Sequence, residues 1–193
     1  MKYFSVLLLS FLAFVACNEP KTVQTELPTE SIFRLTSDWQ NQDNQTMQLK
    51  DLQGKTLVVV MIYTSCKTAC PVLVAKMKSI EAAINSKAID KVSLVLVSID
   101  PKVDIPERLK EFAIKNNMDN KHWVFLTSNE TNTQEFANVL SMKYKKISPI
   151  DFSHSNIVSI FSPDGQMVTQ EEGLEIDIQK IADIVNQTVK KFK

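Results

Sequence analysis

Cys66 and Cys70 stand four positions apart, directly after a buried-looking strand and directly before a helix start marked by Pro71. A helix N-terminus carries partial positive charge, which favours thiolate over thiol. The thiolate is both the nucleophile of disulfide exchange and a soft metal ligand, so the placement suits either role. Lys67, between the two cysteines, would add to the effect. Thioredoxin-type redox motifs have two residues between their cysteines, whereas here there are three, Lys67, Thr68 and Ala69. On a regular helix that spacing leaves Cβ atoms ~5–6 Å apart, too far for a disulfide, which wants ~3.5–4.5 Å. Cys66 is therefore expected on an irregular, adjustable loop, where two thiolates can converge on one ion. Soft thiolates favour Cu(I), and an imidazole would complete a low-coordinate site. Two Cys and one His with an open position also describe catalytic zinc. A purely structural disulfide is the weaker reading, because so short a loop gains little entropy on closure.

The elements that must position these thiols read as alternating strand and helix. Leu57–Tyr63 and Val92–Ile99 are continuous apolar, β-branched runs, as expected of central strands buried on both faces. Leu73, Met77, Ile80 and Ile84 form one apolar stripe of a helix after Pro71. Pro106–Asn116 and Thr131–Met142 read as further helices around a short strand, Trp123–Leu126. Ser162-Pro163-Asp164-Gly165 is a turn signal between strands Asn156–Phe161 and Gln166–Gln170. A last helix spans Ile176–Phe192, and an N-terminal β-hairpin joins Ile32–Trp39 to Thr46–Leu49. The fold class is α/β: a thioredoxin-like domain with a mixed central sheet flanked by helices and an N-terminal hairpin extension.

Residues 1–16 read as a lipoprotein signal peptide. Met1-Lys2 is followed by an apolar run of fourteen residues, Tyr3–Ala16. This is shorter than the ~20 residues that span a bilayer as a helix. The run ends at Ala16-Cys17, so Cys17 is the expected lipid-bearing residue of an envelope protein anchored to a membrane. Residues 17–31 then form a polar tether with Pro20 and Pro28, and 32–193 the domain. With Cys17 lipidated, Cys66 and Cys70 remain as the free pair in an oxidising compartment. The 193 residues carry 22 basic and 22 acidic side chains, a balance that argues against nucleic acid as a partner. Three glycines and no phosphate-binding loop argue against nucleotides.

Tyr63-Thr64-Ser65-Cys66-Lys67-Thr68-Ala69-Cys70-Pro71, Ser98-Ile99-Asp100-Pro101, and His154 ahead of Ser162-Pro163-Asp164-Gly165 together resemble the motifs of the SCO/SenC family, as does Leu52-Gln53-Gly54-Lys55. That family comprises membrane-tethered, thioredoxin-like copper proteins that help assemble the binuclear copper centre of cytochrome c oxidase. The resemblance covers roughly residues 31–193 and implies copper ligation by Cys66, Cys70 and His154. It implies delivery of copper to the copper-site subunit of a respiratory enzyme, with the domain in the periplasm. It also allows the alternative of a thiol–disulfide oxidoreductase acting on a partner's metal-binding cysteines through Cys66 and Cys70. Whether the chain is an enzyme or a metallochaperone stays open at this point.

Two departures stand out. Lys67 and Thr68 occupy positions where many members carry Asp, and Met61-Ile62 replaces the usual Phe-Gly. A peroxidase reading, suggested by the N-terminal hairpin, lacks a peroxidatic motif, since Pro71 follows the second cysteine instead of preceding a reactive one. Asp100 is expected to end its strand and to border the site. His122 and the scattered methionines read as structural.

Overall fold

The computed structural model describes residues 26–149 and 151–192. The signal peptide, Cys17 and most of the tether lie outside the described residues. The tether's described end, Pro28–Ser31, is hydrogen bonded to the domain: Arg34 Nε donates to the Pro28 carbonyl (2.8 Å) and Ser31 Oγ to the Asp164 carbonyl (2.6 Å).

The chain runs β1 (Asp38–Asn41), β2 (Thr46–Gln48), β3 (Thr56–Ile62), α1 (Ala69–Ala83), β4 (Val92–Ser98), α2 (Pro106–Lys115), β5 (Trp123–Thr127), α3 (Glu130–Val139), β6 (Tyr144–Ser148), β7 (Asp151–His154), β8 (Ile157–Phe161), β9 (Met167–Glu172) and α4 (Ile178–Lys191). Seven strands form one sheet in the order β2-β1-β5-β4-β3-β8-β9. β3, β4 and β5 are parallel neighbours, while β1, β8 and β9 join antiparallel. The sheet is therefore mixed, in a thioredoxin-like α/β fold flanked by helices.

Every residue of β3 and β4 is buried, which explains why both read as unbroken apolar runs. Neither has a solvent face to mark with polar residues. α1 packs on α4, and α4 in turn on β3. α3 and α4 start at side-chain caps: Asn129 accepts from the Asn132 N–H, and Asp177 from the Lys180 N–H. These caps fix helix starts that apolar periodicity alone leaves a residue or two adrift.

Three expectations are corrected. The first half of the N-terminal hairpin is not strand. Ile32–Arg34 forms a 3₁₀ turn, because Ser31 accepts from the Phe33 N–H and the Ile32 N–H donates to the Gly165 carbonyl (3.0 Å). Pairing begins only at Asp38. The helix read to Met142 stops at Val139, and Ser141 turns the chain out with φ of 52°. Finally, a separate two-stranded sheet, β6–β7, stands where no element was expected. Its partners run Tyr144↔His154, Lys145↔Ser153 and Lys146↔Phe152.

Candidate metal centre

β3 ends at the carboxyl edge of the sheet, and the segment leaving it is tied down before it reaches the thiols. Thr64 donates through its N–H (3.0 Å) and its hydroxyl (2.5 Å) to the two oxygens of Asp104. Ser98 Oγ, at the end of β4, donates to the same carboxylate (2.7 Å). Arg108 Nε donates to Thr64 Oγ1 (2.6 Å) and lies 3.6 Å from Asp104. Asp104 is fully buried, so its charge is held by these partners and not by water. The network joins the ends of β3 and β4 to the first turn of α2.

Beyond it the chain turns, with the Cys66 N–H donating to the Tyr63 carbonyl (3.2 Å), and enters α1 at Ala69. Cys66 thus sits on irregular backbone and Cys70 in the first helical turn, as the spacing argument requires. Both are free and buried, Cys66 at 9% and Cys70 at 2% exposure. The Cys70 N–H, one of the free donors of the helix start, points at Cys66 Sγ at 3.3 Å.

This contact makes the two thiols unequal. Burial pushes the Cys66 thiol up. Hydrogen bonds from the backbone and side chain of Cys70, the Thr68 backbone and the Tyr63 side chain outweigh that and bring it down to about 7. Burial also drives the Cys70 thiol upward, and the nearby Cys66 side chain and the Asp104 charge add to the rise. Lys67 is exposed, and hydrogen bonding is what lowers the Cys66 thiol.

His154 comes from the other sheet. It is the last residue of β7, and its Nε2 lies 3.7 Å from Cys70 Sγ. Its Nδ1 is 3.0 Å from the Ser155 carbonyl. A carbonyl accepts only, so Nδ1 carries the hydrogen and Nε2 turns its lone pair toward the sulfurs. The two sulfurs and the imidazole nitrogen lie within 4.8 Å of one another. Three donors ~2.0–2.3 Å from one ion in a trigonal arrangement stand ~3.7–4.0 Å apart, so a closure of about 1 Å or less would bring all three onto a metal. A soft, low-coordinate ion suits two sulfurs and one nitrogen.

The remaining sequence expectations fare differently. Asp100 is buried and lines a groove with Tyr144, Lys146 and Phe152, while the carboxylate that reaches the cysteine segment is Asp104. His122 sits apart, 3.9 Å from Asp90, and its backbone carbonyl accepts from the Leu94 N–H. Residue-by-residue reading overlooked Asp104, Tyr63 and Asp151. Tyr63 is fully buried; its hydroxyl donates to the Asp151 carboxylate and accepts from the Phe152 N–H (3.3 Å). Burial raises the Tyr63 phenol, and the Asp151 bond raises it further. The one sequence hint for Asp104 was its place between the strand-ending Asp100-Pro101 and the helix-opening Pro106.

The SCO1/SenC family model matches residues 23–190. The chain is 29% identical over 140 residues to the SCO1 protein homolog of Bacillus subtilis, covering 71% of this chain and 72% of that one. A solved structure of BsSco, described as a member of the Sco family of cytochrome c oxidase assembly proteins with a disulfide switch, is 28% identical with a TM-score of 0.70, covering 79% of this chain and 91% of its own. A SCO1/SenC family lipoprotein from Bacillus anthracis is 25% identical with a TM-score of 0.72, over 78% of this chain and 91% of that one. Arabidopsis thaliana ScoI with copper bound shares the fold at a TM-score of 0.71 and 21% identity, over 80% of this chain and 96% of its own. With a family model spanning nearly all of the folded domain, and the same fold in these structures, the chain belongs to the SCO1/SenC family.

Proposed function

We propose that this protein binds one copper ion through Cys66 Sγ, Cys70 Sγ and His154 Nε2 and hands it to the copper-site subunit of a respiratory oxidase. A lipid on Cys17 would hold it to the membrane, with the domain in the periplasm. The observation that carries this reading is the convergence of two free sulfurs and one imidazole nitrogen within 4.8 Å, with the imidazole tautomer fixed by Ser155. The copper-bound relative and the family's link to oxidase assembly support the choice of metal and recipient.

The donor residues divide the work. Cys66, the more acidic thiol, loses its proton near neutral pH and offers the first sulfur. Cys70 holds its proton more tightly, and a bound cation would compensate for the cost of its buried thiolate. His154 supplies a nitrogen donor through Nε2. Copper titration of the reduced protein tests this: about one ion per chain is expected, lost in Cys66→Ala and Cys70→Ala and weakened in His154→Ala. Unchanged stoichiometry in the double cysteine variant, or zinc instead of copper in protein isolated from its native membrane, would overturn it.

The unequal thiols favour a second reading, reduction of a partner's disulfide. The Cys66 thiolate attacks one sulfur of that disulfide, forming a mixed disulfide and releasing one partner thiolate. Cys70, losing its proton, then attacks Cys66 Sγ. This closes the Cys66–Cys70 disulfide and frees the second partner thiol, so the partner gains the two electrons the pair loses. His154 has no part in these steps. Retained reductase activity with lost copper in His154→Ala would favour this role.

A further inference from the structure

The proposed donor set is divided between two parts of the fold. Cys66 and Cys70 follow a central strand of the seven-stranded sheet, whereas His154 ends β7, which pairs with β6 in a separate two-stranded sheet. Among the described residues no strand of the main sheet pairs with β6 or β7, and the short link Ser155-Asn156 ties His154 to β8, the neighbour of β3. That link sets the neighbourhood of His154 and leaves its final approach to Cys70 to side-chain contacts.

The side chain between the two parts is Tyr63, the residue immediately after β3. It reaches Asp151, Phe152 and His154, three of the four residues of β7. Its hydroxyl donates to the Asp151 carboxylate and accepts from the Phe152 N–H (3.3 Å). Its ring lies 5.1 Å from the Phe152 ring at a tilt of 58°, and 5.8 Å from the His154 ring, edge-on at 81°. At 1% exposure, Tyr63 is itself held by the core on its other sides. A phenol so placed fixes the height of β7 through its hydroxyl and the rotation of the imidazole through its ring. The Ser155 carbonyl holds the far nitrogen of that imidazole.

We propose that Tyr63, with Asp151 as its acceptor, is the positioning residue that brings His154 Nε2 onto the cysteine pair. The inference rests on the copper reading above and adds a residue to it. Tyr63 is not a ligand. Its hydroxyl also hydrogen bonds toward Cys66, so its hold on the imidazole is read through the Asp151 bond, without which His154 loses its fixed approach. Outer-shell partners of this kind typically change metal affinity ~10–100-fold when removed.

The test uses the full chain and added Cu(II), followed by thiolate-to-copper absorption, nitrogen hyperfine coupling in electron paramagnetic resonance, and release to a chelator. Tyr63→Phe and Asp151→Ala are each expected to keep about one copper per chain. Both should lose nitrogen coupling toward the His154→Ala spectrum and release copper about 10-fold faster than wild type. In a His154→Ala background, adding Asp151→Ala should change nothing further, the signature of two residues acting as one. Asp151→Ala keeps the buried ring in place, so the test survives if Tyr63→Phe folds poorly. Wild-type spectra and release in both single variants, alongside a shifted His154→Ala, would overturn the Tyr63 role and leave the copper reading intact. No copper uptake by the wild type, or a His154→Ala spectrum identical to it, would overturn both.

Discussion

The two sulfurs differ because their surroundings differ, although the same four-residue spacing produced both. Cys66 receives a helix-start N–H at 3.3 Å, and Cys70 sits deeper, facing a sulfur and a buried carboxylate. As pH rises through about 7 the Cys66 thiol becomes thiolate, while the Cys70 thiol stays protonated well past that point. Alkylation of the reduced, metal-free protein should therefore fall on Cys66 first, with a rate half-maximal near pH 7, mapped by mass spectrometry of the modified peptide. Equal labelling of both cysteines would contradict the asymmetry. The pair was legible in the sequence because its chemistry is local: a buried strand, two thiols and a helix-start proline lie within a few positions. His154 was not legible in that way. Its meeting with Cys70 spans 84 positions and had to be inferred from a family resemblance. Tyr63–Asp151, spanning 88, left no sign.

At the scale of elements, the cysteine segment is governed by a carboxylate on a different connection. Asp104 anchors Thr64 across 40 positions and gathers the ends of β3 and β4 with the start of α2. Asp104→Ala would leave the Thr64 N–H and the Ser98 hydroxyl without their acceptor and should cost about 3 kcal/mol in chemical unfolding. The Cys66 alkylation midpoint should shift in the same variant as the loop loosens; an unchanged midpoint and stability would show the anchor to be idle. The central strands were read correctly because burial on both faces leaves an unambiguous apolar run. The β6–β7 sheet was missed for the opposite reason. Tyr144–Ser148 reads Tyr-Lys-Lys-Ile-Ser, mostly exposed, with Ile147 facing solvent and a register shift between Lys146 and Ser148. Period-two alternation, the signal of a half-buried strand, is absent from it.

For the molecule as a whole, the N-terminal end of the described chain packs on the turn between β8 and β9. Gly165 adopts φ of +82°, and a Cβ there would fall 2.3 Å from Ser31 Oγ and 2.7 Å from the Phe33 ring. Gly165→Ala should destabilise the fold by about 2 kcal/mol. That would lower the calorimetric midpoint by about 4–8 °C for a domain of this size. Metal acts in the other direction, because an ion bound by the native state alone stabilises it. At a hundredfold excess over its dissociation constant copper should add about 2.7 kcal/mol, and the rise should vanish in Cys66→Ala. A copper-induced midpoint shift that persists without Cys66 would place the ion elsewhere.

The division of the donor set between two sheets also bears on how the protein is made. β3 pairs with β8 from the far part of the chain, and β7 lies just before β8, so the imidazole arrives late in the assembly of the native topology. A nascent or partly folded chain offers a cation two sulfurs on a loose segment, and the third donor exists only once the β3–β8 pairing has closed. Full coordination is in that sense a certificate of completed folding. On the proposed copper reading, immature chains would hold the ion weakly.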